Sequence, residues 1–216
     1  MRIGQRSIGP GAPVFVVAEL SANHNQDFAQ AIKLVRAAHD AGADAIKLQT
    51  YRPETITIDV ESPLFRIDAG TSWDGRTLFS LYEEAQTPWD WHEPLAHEAR
   101  RLGLEFFSSP FDRSAAAFLK EIDVPAYKIA SAEIVDVGLI RLVAEIGRPI
   151  IISTGMATLS EISEAIHTAR EAGAEDIILL KCTSSYPAPP EEANLRTIPH
   201  MAQAFRVPVG LSDHTL

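Results

Sequence analysis

A chain of 216 residues with 46% hydrophobic residues can bury a real core, and its formal net charge of −10 excludes a general nucleic-acid binder, because neutralising phosphates needs a basic face. The single cysteine, Cys182, excludes an internal disulfide and fits a reducing compartment. No apolar run approaches a membrane span and the N-terminus carries no long apolar segment of the signal type, so a cytoplasmic protein without a membrane partner is expected.

In chain order, Val14 to Glu19 reads as a first strand, followed by a helix with Phe28, Ile32 and Val35 at helical spacing and Gly42 as its C-cap. Ala45 to Gln49 reads as a second strand. From Arg52 to about Gly75 no period is sustained, and Pro53, Pro63, Gly70 and Gly75 suggest an extended loop, a usual place for specificity. A short helix spans Thr77 to about Ala85. Thr87-Pro88-Trp89-Asp90 then reads as a helix start, with Thr87 as N-cap and the helix running to Arg101 before Gly103. Phe106 to Ser109 is a strand, Asp112 caps a helix to about Glu121, and Tyr127 to Ser131 is a strand. A helix begins near Gly138 and ends before Gly147, and Ile150 to Ser153 is a strand. Thr158 and Glu161 make a capping box under the stripe Ile162, Ala165, Ile166 and Ala169. Ile178 to Thr183 is a strand, Pro187 to Pro190 a loop, Leu195 to Phe205 a helix, and Val209 to His214 a seventh strand.

Strands alternating with helices are the grammar of an α/β, TIM (β/α)8-type barrel, here with about seven of eight units and read as one domain over residues 1–216. Full barrels run to ~250 residues, and an open one would expose apolar edge strands, so the eighth unit is expected to be missing from this chain. Chemistry in such folds sits at the carboxyl ends of the strands, which here carry lysine, serine and carboxylate in repeat after repeat. They point to one pocket for a small polar anion.

Lys47 and Lys128 each lie inside an apolar run, where a charged chain is costly unless it faces a polar site. They are the best anion ligands and are expected to converge on the pocket; the alternative is an ion pair with Glu19 or Glu133. Ser109, Ser131, Ser153, Ser184 and Ser212 fall at or just past strand ends, where hydroxyls and amides can cradle a phosphate or carboxylate, or simply cap turns. Glu19 and Glu133 suit general-base work or a grip on sugar hydroxyls, or else neutralise a lysine. His24 and His214 lie in expected top loops; a histidine there can ligate a divalent ion, but one alone makes a weak site. His39, His92, His97, His167 and His200 are assigned nothing, and Cys182 reads as an inert buried thiol. Trp89 and Trp91 read as packing residues, and Trp73, in the long loop, could touch a substrate.

The segments Ala18-Glu19-Leu20-Ser21-Ala22-Asn23-His24-Asn25, Ile46-Lys47-Leu48-Gln49-Thr50, Ser108-Ser109-Pro110-Phe111, Ala126 to Ser131, Ile152-Ser153-Thr154-Gly155-Met156, Leu180 to Pro187 and Gly210 to His214 together resemble the sialic acid synthase family. The match runs in order over nearly the whole chain. Glu-Leu-Ser-Ala-Asn-His at 19–24 and Lys-Cys-Thr-Ser-Ser-Tyr-Pro at 181–187 are most similar to the branch that makes pseudaminic acid.

The resemblance implies condensation of phosphoenolpyruvate with an open-chain acetamido sugar, for that branch 2,4-diacetamido-2,4,6-trideoxy-L-altrose. A divalent metal, Mn2+ or Mg2+, polarises the aldehyde oxygen, water adds to the oxocarbenium carbon and phosphate leaves. By motif position it implies a phosphoenolpyruvate cradle of Lys47, Ser109, Lys128, Ser131, Ser153, Ser184 and Ser212. It also implies catalytic roles for Glu133, Glu19 and Lys128, a sugar side of Glu19, Asn23, Gln49 and Tyr186, and His214 as a metal ligand. In the family a second metal histidine belongs to the eighth-strand region, and a C-terminal antifreeze-like domain covers the partner's site in a homodimer. Both are absent from this chain, so weak metal binding and slow turnover are expected of it. The competing readings are an N-acetylneuraminate or legionaminic acid synthase, a Schiff-base pyruvate aldolase using Lys128, and a non-catalytic binding module.

Overall fold

Parallel strand pairing organises the chain. The computed structural model describes residues 1–68, 70 and 73–215, in two units: Phe15–Ile122, the first unit, and Met1–Val14 with Asp123–Leu216, the second. The chain opens with a hairpin that the sequence reading did not anticipate, β1 (Arg2–Ile3) against β2 (Arg6–Ser7), turned by Gly4 at φ 53°. Two-residue strands carry no hydrophobic period to read; the one anchor is Ile3, fully buried.

The first unit pairs β3 (Val17–Glu19), β4 (Ala45–Thr50) and β5 (Glu105–Pro110) in parallel, in that order. α1 (Phe28–Asp40) crosses from β3 to β4. Asp27 caps it by accepting from the amides of Ala29 and Gln30, and it buries Ala31 and Val35. β3 is shorter than the apolar run that suggested it. Pairing begins at Val17↔Ala45, whereas the Val16 amide is bonded to the Asp44 carboxylate and Val14 is largely exposed.

The stretch after β4 is less extended than its composition suggested. It contains α2 (Pro53–Ile56), a 3-10 turn over Pro63–Phe65 capped by Ser62, and an antiparallel bridge between Arg66 and Thr77; positions 69, 71 and 72 lie outside the described residues. α3 (Leu78–Ala85) is capped by Thr77. Thr87 is not an N-cap. A 3-10 turn over Trp89–Trp91 precedes α4 (His92–Arg101), and the Thr87 hydroxyl is buried against His24. The reason is tertiary: a buried imidazole needs a partner more than an exposed helix start does. α1 and α4 are tied by the buried Glu98 carboxylate, which accepts from Arg36 at 2.7 Å and Arg101 at 2.8 Å. After β5, α5 (Arg113–Glu121) is capped by Asp112 as read.

The second unit pairs β6 (Tyr127–Ile129), β7 (Ile150–Ser153), β8 (Ile177–Cys182) and β9 (Val209–Ser212) in parallel, each joined to the next by a helix: α6 (Val137–Glu145), α7 (Leu159–Glu171) and α8 (Thr197–Phe205). This is the βαβ repeat that the spacing predicted. α6 starts at Val137 because Asp136 caps it through the Leu139 amide. The Thr158–Glu161 capping box forms, and its stripe Ile162, Ala165, Ile166 and Ala169 is buried. β7 is buried throughout, and each fully buried isoleucine in it contributes roughly 1.5–3 kcal/mol.

Among the described residues no helix is long and apolar enough to cross a membrane.

Candidate active site

Strand register decides which side chains share a face, because paired residues of neighbouring parallel strands point the same way and alternate residues point opposite ways. In the first unit, Glu19 pairs with Lys47 and Lys47 with Phe107; two residues on, Gln49 pairs with Ser109. Glu19, Lys47, Gln49 and Ser109 thus occupy one face. The Lys47 ammonium and the Glu19 carboxylate form an ion pair, so the ion-pair alternative for Lys47 is realised within this unit. The other Glu19 oxygen accepts from the Ser21 amide at 3.3 Å. The Asn23 amide side chain donates to the Leu20 carbonyl at 3.1 Å, which fixes the turn after β3.

The opposite face carries a polar network that sequence reasoning missed. Thr50 Oγ1 lies 2.8 Å from His92 Nε2 and 2.7 Å from Ser108 Oγ, and all three residues are fully buried. His92 Nδ1 faces the Pro88 carbonyl at 3.3 Å and must donate to it, which leaves Nε2 to accept from Thr50. Burial holds the His92 pKa down to about 4. The readable signal was the alternation itself, Thr50 and Ser108 standing one residue off Gln49 and Ser109. His24 lies in the turn after β3. It is fully buried, with Nδ1 accepting from the Gln26 amide at 3.1 Å and Nε2 3.2 Å from Thr87 Oγ1, and its pKa is lowered by burial.

In the second unit the shared face runs Lys128↔Ile151↔Ile178, then Ser153↔Leu180↔Gly210, then Cys182↔Ser212. Lys128 is 5% exposed. Its ammonium donates to the Ile129 carbonyl at 3.0 Å and to Ser153 Oγ at 2.5 Å, and among the described residues it makes no ion pair. Burial pulls its pKa down to about 8, partly offset by the nearby Cys182 and Glu133. Glu133 opens a 3-10 turn just past β6, and its buried Oε2 has no hydrogen-bond partner. Burial raises the Glu133 pKa against the opposing pull of its own backbone N–H and of Lys128, with Asp136 adding to the rise. An orphaned buried carboxylate oxygen is costly and marks a place where a ligand or water belongs.

Ser131, Cys182 and Ser184 converge on Gly155. The Gly155 amide donates to Ser131 Oγ at 3.2 Å, and Ser131 Oγ lies 3.2 Å from Cys182 Sγ. A Cβ on Gly155 would sit 2.9 Å from Cys182 Sγ and 3.0 Å from Ser131 Oγ, and would collide with Ser184 Oγ. Neither Gly155 nor Cys182 was singled out for this in the sequence, because a glycine needed for space rather than for a turn leaves no local pattern. Ser212 lies beside His214, Oγ to Nε2 at 3.4 Å, and Tyr186 stacks on the His214 ring at 4.1 Å.

His214 fits one position of a metal site. Its Nδ1, 2.8 Å from the Thr183 carbonyl, must donate there, and this tautomer puts a lone pair on Nε2, which accepts a long contact from the Ser212 hydroxyl at 3.4 Å. Among the described residues no group of three or more His, Cys, Asp or Glu side chains could hold an ion, so the donor set is not complete within them. Two clefts lie elsewhere, in the helical layers, and contain none of these residues. One, of about 530 Å3, is lined by Arg52, Trp89, Glu93 and Phe118; the other, of about 750 Å3, by Leu159, Ser163, His167 and Phe205.

Comparison with known proteins gives this arrangement a context. The model of the NeuB family matches residues 34–216. The chain is 47% identical over 204 residues to pseudaminic acid synthase of Helicobacter pylori, covering 94% of this chain and 60% of that protein. It is 45% identical over 202 residues to pseudaminic acid synthase of Campylobacter jejuni, covering 94% and 59%. A crystal structure of N-acetylneuraminic acid (sialic acid) synthetase from Leptospira borgpetersenii serovar Hardjo-bovis, in complex with citrate, superposes with a TM-score of 0.86 at 32% identity, covering 100% of this chain and 70% of that one. The chain spans about 60% of the length of the curated relatives it matches. The fold class is α/β of the TIM-barrel type, with the seven parallel strands read from the sequence.

Proposed function

The chain belongs to the NeuB family, and from that premise we propose that it is the barrel part of a pseudaminic acid synthase. The reaction joins phosphoenolpyruvate, 2,4-diacetamido-2,4,6-trideoxy-L-altrose and water to give a nonulosonic acid and phosphate. The observation that carries this reading is Lys128. A buried ammonium that donates to two neutral partners and makes no ion pair among the described residues, with Glu133 acting on it only from a distance, is costly, and it makes sense where an anion completes it. The donor is such an anion. Ser131, Ser153, Ser184 and Ser212 add hydroxyls to its cradle, and Lys47 and Ser109 belong to it by motif position.

The methylene carbon of the enol phosphate attacks the aldehyde carbon, a carbon–carbon bond forms, and the aldehyde oxygen gains a proton. The carbon bearing the phosphate becomes electron-poor and water adds to it. Glu133 takes one proton of that water: its raised pKa and unpartnered Oε2 suit a base poised to accept. The carbon–oxygen bond to phosphate then breaks, the hydroxyl proton of the adduct leaves with the phosphate and a ketone remains; the proton taken by Glu133 makes up the one that the aldehyde oxygen gained. Glu19, Asn23, Gln49 and Tyr186 form the proposed sugar side. A divalent ion, Mn2+ or Mg2+, belongs to the proposal with His214 as its one donor among the described residues. It would polarise the aldehyde oxygen. A homodimer in the full-length protein and a cytoplasmic location, where phosphoenolpyruvate is drawn on, complete the proposal.

One observation favours a second reading. An amine held near pKa 8 is the kind that forms Schiff bases, which would make Lys128 the nucleophile of a pyruvate aldolase. Product analysis decides. The protein is incubated with phosphoenolpyruvate, a divalent salt and a panel of acetamido sugars. The synthase releases one phosphate per nonulosonic acid formed, fastest with the 2,4-diacetamido-trideoxy sugar. A Lys128 adduct trapped by borohydride and pyruvate supports the aldolase instead.

A further inference from the structure

Ser131 has one hydrogen to give and two lone pairs to fill. The Gly155 amide fills one lone pair, and Cys182 Sγ also stands 3.2 Å from the hydroxyl oxygen. Cys182 ends β8 in register with Ser212, is 5% exposed, and among the described residues has only the Leu180 carbonyl, at 4.0 Å, as a further hydrogen-bond partner. Two arrangements are open to the pair. If Ser131 donates to sulfur, a weak acceptor, the hydroxyl hydrogen is spent inside the protein. If the thiol donates to Ser131, both lone pairs are filled and the hydroxyl hydrogen is released. A hydrogen bond to an anion is about twice as strong as a neutral one, so an arriving anion selects the second arrangement.

We propose that Cys182 is a positioning residue for the donor site: its S–H and the Gly155 N–H together fix the Ser131 oxygen as an acceptor, so that the Ser131 O–H is turned out toward the anionic donor. Gly155 belongs to the same device, since any side chain there would occupy the space in which the three heteroatoms meet. The thiol is thus functional without being a nucleophile. The inference rests on the reading of Ser131 as part of the phosphoenolpyruvate cradle.

The test is a double-mutant cycle on the intact protein, followed by the KM for phosphoenolpyruvate, the KM for the sugar and kcat. Cys182→Ala is expected to raise the donor KM by about five- to tenfold, the worth of one lost orienting hydrogen bond, with kcat and the sugar KM within about twofold. Cys182→Ser keeps a donor and restores the donor KM to within about threefold of the parent. In a Ser131→Ala background, Cys182→Ala has no further effect, because the hydroxyl it orients is gone. Cys182→Val keeps the volume without the donor and takes the place of the alanine variant if that one does not fold. Multiplying effects in the double mutant, or an unchanged donor KM in both Cys182→Ala and Cys182→Val, overturn the inference alone. Failure of the unsubstituted protein to bind phosphoenolpyruvate by calorimetry overturns the reading beneath it as well.

Discussion

Lys128 Nζ reaches diagonally across the β6–β7 pair to Ser153 Oγ, 2.5 Å away, two residues beyond its register partner Ile151. The diagonal matters because it carries the ammonium toward the carboxyl end of the strands, where functional groups collect in folds of this class. The contact keeps the charge hydrogen-bonded but not neutralised.

Lys128→Met is therefore expected to abolish phosphoenolpyruvate binding while stabilising the fold at neutral pH. The sign follows from linkage. With a folded pKa of about 8 and an unfolded value near 10.5, the wild-type protein holds fewer protons than its unfolded chain only between those values, so its stability rises with pH across that window. The advantage of Lys128→Met, of order 1–3 kcal/mol at pH 7, should shrink as pH climbs from 8 to 10.5. Paired denaturant titrations of the two proteins at pH 7 and pH 10 check it.

Glu133→Gln should lower kcat by roughly 10^2–10^4, the usual worth of a general base, and leave the melting temperature unchanged or higher. Burial disfavours the Glu133 carboxylate, so replacing it by a neutral amide relieves a cost that is present above its folded pKa and vanishes in acid, where both states hold the proton. Steady-state kinetics and thermal melts at pH 7 and pH 4 on the two proteins separate the effects.

Gly155→Ala and Gly147→Ala make an informative pair. At Gly147 the backbone has φ +78° and open space, so alanine costs about 1–2 kcal/mol of stability through strain and leaves kinetics alone. At Gly155 the penalty is crowding against Ser131, Cys182 and Ser184, and the donor KM should rise by at least about tenfold. Melting temperatures and donor KM values for both variants check the contrast.

His92 is buried neutral, with a folded pKa of about 4 against about 6.5 unfolded. The unfolded chain takes up a proton first as pH falls, so stability drops between pH 6.5 and pH 4, by roughly 2–4 kcal/mol from this one group. His92→Gln should flatten that limb of the stability–pH curve while lowering stability at pH 7.

The fold was largely legible because most of its devices are local. The stripe of α7, the caps Asp112 and Thr158, and the buried runs of β7 and β8 each follow from periodicity and short-range bonding. What was misread depended on partners far away in the chain. Thr87 carries the residue type of an N-cap but serves His24, 63 residues distant, and His92 was passed over because its partner Thr50, itself bonded to Ser108, lies on another element. Lys128 was readable as a charge out of place in an apolar strand. The Ser131–Cys182–Gly155 meeting was not, since it joins three strand ends that share no sequence neighbourhood.

The most direct test of the synthase reading follows oxygen. Phosphoenolpyruvate labelled with oxygen-18 at the bridge between carbon and phosphorus is incubated with the protein, a divalent salt and the 2,4-diacetamido-trideoxy sugar, and the products are weighed by mass spectrometry. Water attack on the electron-poor carbon predicts that the label leaves in inorganic phosphate while the nonulosonic acid carries a ketone oxygen from solvent. Label retained in the organic acid, or no sugar-dependent phosphate release, contradicts it.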